Sequence, residues 1–128
     1  MEKMNNPTGL KYSRTDEWLL PTGEGSARIG ITDFAQEMMG SIVYVDLPGA
    51  GDVVTAGESF GVVESIKSAF EIISPVSGVV AALNSEAIDA PERINAAPYD
   101  SWLIEVSDIT SQVELLDAEA YRSAKDEE

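Results

Sequence analysis

From Leu10 to Leu83 the chain is cut by glycine and proline into short extended pieces. That punctuation constrains the fold more than any other feature of the sequence. Ala27-Arg28-Ile29-Gly30-Ile31 alternates in the manner of a half-buried strand. Ile42-Val43-Tyr44-Val45 is β-branched and aromatic, and Pro48-Gly49-Ala50-Gly51 stops it. Phe60-Gly61-Val62-Val63 and Phe70-Glu71-Ile72-Ile73 are two further strands. Pro75-Val76-Ser77-Gly78 reads as a turn leading into Val79-Val80-Ala81-Ala82-Leu83, and Trp102-Leu103-Ile104-Glu105-Val106 as a last strand. Helices are short. Thr32 is placed to cap a helix over Asp33 to Met39, with Gly40 just past its end. Ser85 to Ala90, a turn opening at Pro91-Glu92-Arg93-Ile94, and Asp117 to Lys125 are the others. Breakers this frequent favour a sandwich over βαβ units. The expected fold is mostly β: a β-sandwich or flattened barrel with small peripheral helices.

At 128 residues the chain suits one domain. Residues 1–8 read as a loose tail, 9–122 as the domain and 123–128 as a solvated acidic end. Eight Lys and Arg against 23 Asp and Glu give a net charge of -15. That sign disfavours nucleic-acid phosphates and anionic membranes, and favours partners with basic surfaces. There is no His, which removes imidazole bases, His-containing triads and His-ligated metals. There is no Cys, which removes thiolate nucleophiles, disulfides, zinc clusters and iron-sulfur ligands. No apolar run reaches the ~18 to 20 residues of a membrane span. Met1 to Gly9 resembles neither a signal nor a transit peptide. The composition points away from a stand-alone enzyme and away from a metal site.

Lys3, Lys11, Lys67 and Lys125 are the four lysines, so one amine stands alone across the middle of the chain. Lys67 lies in Val63-Glu64-Ser65-Ile66-Lys67-Ser68-Ala69-Phe70, between two expected strands, and belongs at a hairpin turn. Read from the residues alone, it is either a solvated turn side chain or a displayed functional amine. A Schiff-base role is disfavoured, because that amine must be desolvated in a pocket. Trp18, Tyr44, Tyr99 and Trp102 read as sandwich packing, and Met38 and Met39 as core or helix-surface packing.

Glu64-Ser65-Ile66-Lys67-Ser68-Ala69, then Glu71-Ile72 and Ser74-Pro75-Val76-Ser77-Gly78-Val79-Val80, resembles the hairpin of lipoyl carrier domains. An aliphatic residue before the lysine is the form of the glycine cleavage H-protein family, and other blocks match that family in order. These are Lys11-Tyr12 with Glu17-Trp18, Gly30 to Glu37, Gly40 to Pro48, Asn84, Pro91, Ile94-Asn95, Pro98-Tyr99, Trp102-Leu103 and Leu116 to Tyr121. The resemblance implies a lipoyl/biotinyl-type sandwich. It also implies lipoic acid in amide linkage to Lys67, presented by Glu64, Ile66 and Ser68, and a monomeric carrier of the aminomethyl group of glycine. The implied partners are a pyridoxal-phosphate-dependent glycine decarboxylase, a folate-dependent aminomethyltransferase and dihydrolipoyl dehydrogenase. A lipoate ligase or octanoyltransferase would attach the arm. Thr15, Glu17 and Glu71 fall where the resemblance points to a niche for the loaded arm. The implied location is the cytoplasm, or a mitochondrial matrix after processing. Three positions depart from the family: Asp16 where His is usual, Phe70 before the acidic Glu71, and a shortened Pro98 to Trp102 segment. They leave room for an H-like carrier serving lipoate relay or sulfur intermediates. A reading of another class is an unmodified β-sandwich adaptor.

Overall fold

The computed structural model describes residues 6–126. Strand pairing begins at Lys11–Tyr12 (β1), which meets Glu17–Gly23 (β2), which in turn meets Ser26–Ile31 (β3). Thr32 then caps helix α1, Asp33–Met39: its side chain accepts from the Ala35 N–H. Gly40 closes the helix with its own N–H on the Gln36 carbonyl. Strand β4 is Ile42–Asp46, β5 Val53–Val54, β6 Ser59–Ser65, β7 Ala69–Ile73 and β8 Val76–Leu83. Two short helices, α2 (Ser85–Asp89) and α3 (Glu92–Ala96), lead to β9 (Ile104–Gln112) and then to α4 (Ala118–Asp126).

All pairings are antiparallel. Six strands form one sheet in the order β1-β2-β3-β9-β8-β5, and three form the other in the order β4-β6-β7. The expected β-sandwich is therefore the observed fold. Ile29, Ile31 and Val80 of the larger sheet share one apolar core with Val45, Val63 and Ile72 of the smaller. A second core lies at the chain ends, where Tyr12 stacks on Tyr121 with ring centres 4.9 Å apart and Trp18 is buried beside them.

Several expectations need correction. Strand β2 was not expected at all. The turn at Pro75 is tighter than the sequence suggests, because Val76, Ser77 and Gly78 already pair with β9 or β5 as part of β8. Trp102 and Leu103 precede β9, which runs on to Gln112 instead of ending at Val106. Tyr44 is not packing: it is 53% exposed, because β4 carries an irregularity between Ile42 and Tyr44 that leaves Val43 and Tyr44 both outside. The carboxy-terminal end is not simply solvated. Helix α4 crosses the expected boundary at residue 122, and Lys125 is buried against Asp16 at 2.8 Å. Glu127, Glu128 and residues 1–5 lie outside the described residues. Of the expected tail, Pro7 accepts a hydrogen bond from the Tyr12 hydroxyl, and Asn6 lies 3.4 Å from that of Tyr99.

Candidate functional site

Lys67 sits in the turn between β6 and β7 and is exposed. The turn is built around Ser65, whose importance the sequence reading missed. Its Oγ accepts from the backbone N–H of Lys67 at 3.1 Å and of Ser68 at 3.3 Å, while its own N–H donates to the Ser68 carbonyl at 2.8 Å. A serine two residues before a turn lysine is the available signal, because hydroxyls of this kind stand in for backbone acceptors in turns. The turn is thus held by side-chain-to-backbone bonds and needs no Asn-Gly dipeptide.

The other residues expected to present the lysine are where the hairpin predicts. Glu64 pairs with Ala69 in the hairpin and is exposed. Ile66 is 73% exposed, an unusual position for an isoleucine, and its N–H donates to the Ser41 carbonyl at 3.0 Å. Ser68 is exposed on the far side of the turn.

Strand β7 leads from this turn to a cleft of about 150 Å³. Thr15, Glu17 and Glu71, the three residues expected to form a niche, all line it. So do Met38, Phe70 and Asp16. Two of the three departures from the family pattern therefore face the cleft. The third, the Pro98 to Trp102 segment, does not; its Pro98 carbonyl accepts from the Trp18 indole N–H at 3.1 Å.

Of these three niche residues only Glu17 is buried; Thr15 and Glu71 are exposed. Both Glu17 oxygens have partners. Oε1 accepts from Thr15 Oγ1 at 2.5 Å and from Ser13 Oγ at 2.7 Å, and Oε2 from the Ile73 N–H at 3.0 Å. The last bond ties β2 of the larger sheet to β7 of the smaller. Burial pushes the Glu17 carboxyl up to about 7, the three hydrogen bonds pull the other way, and the Asp16 charge adds a smaller upward push. Glu17 is therefore part neutral near neutral pH and structurally engaged, not a free anion awaiting a cation.

Asp16 sits at φ 79, a left-handed conformation that costs a non-glycine residue about 1 kcal/mol or more. Its carboxylate accepts from Lys125 Nζ and from the Tyr121 hydroxyl, each at 2.8 Å. Tyr121 also meets Thr32 Oγ1 at 2.8 Å, so α4, the cap of α1 and the loop of Thr15 and Asp16 that leads into β2 form one polar knot. Among the described residues no group of three or more His, Cys, Asp or Glu is arranged to hold a metal ion.

Comparison with known proteins agrees with this geometry. The family model for the glycine cleavage H-protein matches residues 10–128. The glycine cleavage system H protein of Methylococcus capsulatus is 47% identical over 125 residues, covering 96% of this chain and 98% of that protein. That of Micrococcus luteus is 50% identical over 121 residues, covering 91% and 94%. The crystal structure of a glycine cleavage system H protein from Mycobacterium marinum superposes with a TM-score of 0.88 at 38% identity, covering 94% of this chain and 98% of that one. With its displayed turn lysine, its two-sheet core and near-complete coverage of these relatives, the chain belongs to the glycine cleavage H-protein family.

Proposed function

We propose that the protein is the lipoyl carrier of glycine cleavage, with lipoic acid joined through an amide bond to Lys67. The observation that carries this reading is the setting of Lys67: an exposed amine in a turn whose backbone is fixed by Ser65. The residues suit the group. The amine is open to an acylating enzyme, and the chain holds no Cys to capture a dithiolane as a mixed disulfide. When attached, the dithiolane supplies redox and group-transfer chemistry, and the chain supplies display and shelter. Tethering keeps the cargo at high effective concentration beside each docked enzyme. The clients in this reading are the glycine decarboxylase, the aminomethyltransferase and dihydrolipoyl dehydrogenase. The chain acts as a monomeric, cytoplasmic subunit with no catalytic group of its own. Relatives named for glycine cleavage favour neither lipoate relay nor an unmodified adaptor.

Tryptic mass spectrometry tests the attachment. Lys67 is the only cut site between Arg28 and Arg93. Modification yields one peptide from Ile29 to Arg93 with a lipoyl-sized mass increment. Clean cleavage after Lys67 in protein from a lipoylating host would falsify the reading. Glycine-bicarbonate exchange with the decarboxylase tests the client: lipoylated protein that supports no exchange would leave the carrier without this role.

The cleft gives the niche its support. Thr15, Glu17 and Glu71 converge there beside Met38 and Phe70, which would cover an apolar stem. An exposed carboxylate-ammonium pair is worth only ~0 to 1 kcal/mol, so retention of a cationic arm end depends on shelter by these apolar walls. Glu71→Gln and Phe70→Ser should each shorten the half-life of glycine-derived methylamine held by the protein. Unchanged half-lives in both would remove the niche.

A further inference from the structure

The Lys67 turn does not rest on its hairpin alone. The segment from Gly40 to Ile42, joining α1 to β4, forms a ledge against it. The Ser41 carbonyl accepts from the Ile66 N–H at 3.0 Å. The Lys67 stem lies over Gly40: a Cβ built there would sit 3.5 Å from Lys67 Cε and 4.0 Å from Cδ and Cγ.

One side chain of α3 holds the ledge from behind. Asn95 Oδ1 accepts from the Ile42 N–H at 2.8 Å. Asn95 Nδ2 donates to the Gly40 carbonyl at 2.9 Å and to Gln36 Oε1 at 2.8 Å. Gly40 has φ 83 and ψ -160, a region open essentially to glycine alone. Each of the three ledge residues therefore has a backbone group tied down, two to Asn95 and one to the turn.

We propose that Gly40 and Asn95 are positioning residues for the modification of Lys67, so that the acylating enzyme meets one surface made of α1, α3 and the hairpin together. The proposal rests on the reading of Lys67 as the attachment point. In the modifying step, neutral Nζ attacks the carbonyl carbon of an acyl-adenylate. The new C–N bond replaces the C–O bond to the adenylate phosphate, AMP leaves, and the nitrogen loses its extra proton to solvent. Attack requires the reacting atoms within ~3 to 3.5 Å in good alignment, so a small shift of the lysine's base lowers the rate steeply. Removing the Asn95 amide frees Gly40 O and Ile42 N to re-pair elsewhere. A side chain at Gly40 forces the backbone out of its present conformation.

The experiment uses full-length unmodified protein with lipoate ligase, lipoate and ATP. Wild type, Asn95→Ala and Gly40→Ala are compared with Val106→Ala, a core truncation in β9 of the larger sheet. Each is also treated with an acetyl N-hydroxysuccinimide ester, and acetylation of Lys67 is read by mass spectrometry. The expected result is a roughly tenfold or greater loss of kcat/KM for lipoylation in both ledge variants. Val106→Ala should stay near wild type, and chemical acetylation should be equal in all four. Ligase rates that are unchanged in the ledge variants, or that fall only as far as in Val106→Ala or as the chemical labelling does, overturn the proposal. If either ledge variant loses its circular dichroism, Asn95→Asp replaces it. That variant keeps the acceptor for Ile42 and loses the donor to Gly40, and should show a smaller loss in the same direction; no loss would count against the proposal. Wild type that is acetylated but never lipoylated overturns the attachment reading as well, which separates the two failures.

Discussion

Glu17 and Lys125 are the only buried charged side chains among the described residues, and both are joined to Asp16, one by sequence and one by an ion pair. They respond to pH and to substitution in different ways. The Glu17 carboxyl is pushed from its ordinary 4.5 up to about 7, chiefly by burial. Between those values the unfolded chain binds fewer protons at this site than the folded one. Its contribution to stability is therefore fully present below about pH 4.5 and is lost as pH rises through 7. The amount is on the order of 3 kcal/mol. Glu17→Gln has no proton to lose. The difference in urea-unfolding free energy between wild type and this variant should change in the variant's favour from pH 5 to pH 8, and a pH-independent difference would contradict the assignment. Lys125→Met leaves Asp16 without its ion-pair partner in a largely desolvated setting. Breaking a buried pair on one side costs about 3 to 5 kcal/mol. Because Lys125 is also held by the Arg14 carbonyl at 3.3 Å and lies 5.0 Å over the Phe34 ring, its replacement should shift the urea midpoint far more than Arg122→Met on the exposed side of the same helix.

At the scale of elements, the hairpin is the part that function needs to be stiff. Ser65→Ala removes the acceptor shared by the Lys67 and Ser68 N–H groups and should loosen the turn without unfolding the sheet. Each lost bond is worth ~0.5 to 1.5 kcal/mol, so a drop of about 1 to 2 kcal/mol in unfolding free energy is expected. Faster amide exchange should be confined to residues 66–68. Global exchange, or none, would mean that the turn is held by something else. The sequence made this hairpin legible because both its strands are β-branched and aromatic and its lysine has no neighbour of its kind. Helix α1 was legible for a similar local reason: Thr32 stands where a cap is needed. Strand β2 was not, because Pro21 and Gly23 read as breakers. Pro21 is tolerated because β1 pairs only with Trp18 and Leu19, so the outer edge beyond them needs no N–H donor. Strand β9 was cut short at Val106 because Ser107, Asp108 and Ser111 look like loop residues, although Ser107 and Ser111 pair with β8. Lys125 was misread for a reason no local rule can mend: its partner, Asp16, is at the other end of the chain. The cleft divides in the same way. Thr15, Glu17 and Glu71 could be grouped from family pattern, and they line one cleft, but the saturation of Glu17 by Ser13, Thr15 and Ile73 exists only once two sheets meet.

The whole molecule carries a net charge of -15, and this sets how it should find its partners. A carrier that visits several enzymes needs fast, weak docking, and long-range attraction to basic surfaces raises the encounter rate without adding a tight interface. Around the turn the surface has a second character: Ile66, Val43 and Tyr44 are 73%, 55% and 53% exposed, an apolar strip beside the amine. Charge and strip predict opposite responses to salt. At 0.15 M ionic strength the screening length is about 8 Å, and it shortens further as salt is added. If charge governs encounter, the apparent KM of dihydrolipoyl dehydrogenase for the reduced carrier should rise several-fold between about 0.05 and 0.5 M NaCl. The KM for free dihydrolipoamide, which is uncharged, should hold steady and so control for salt effects on the enzyme. If the apolar strip governs instead, the carrier's KM should be flat or fall with salt, and Ile66→Ser should raise it at every concentration. A salt-dependent KM that Ile66→Ser leaves unchanged would assign the encounter to the acidic surface and leave the hairpin to do no more than hold the arm in reach.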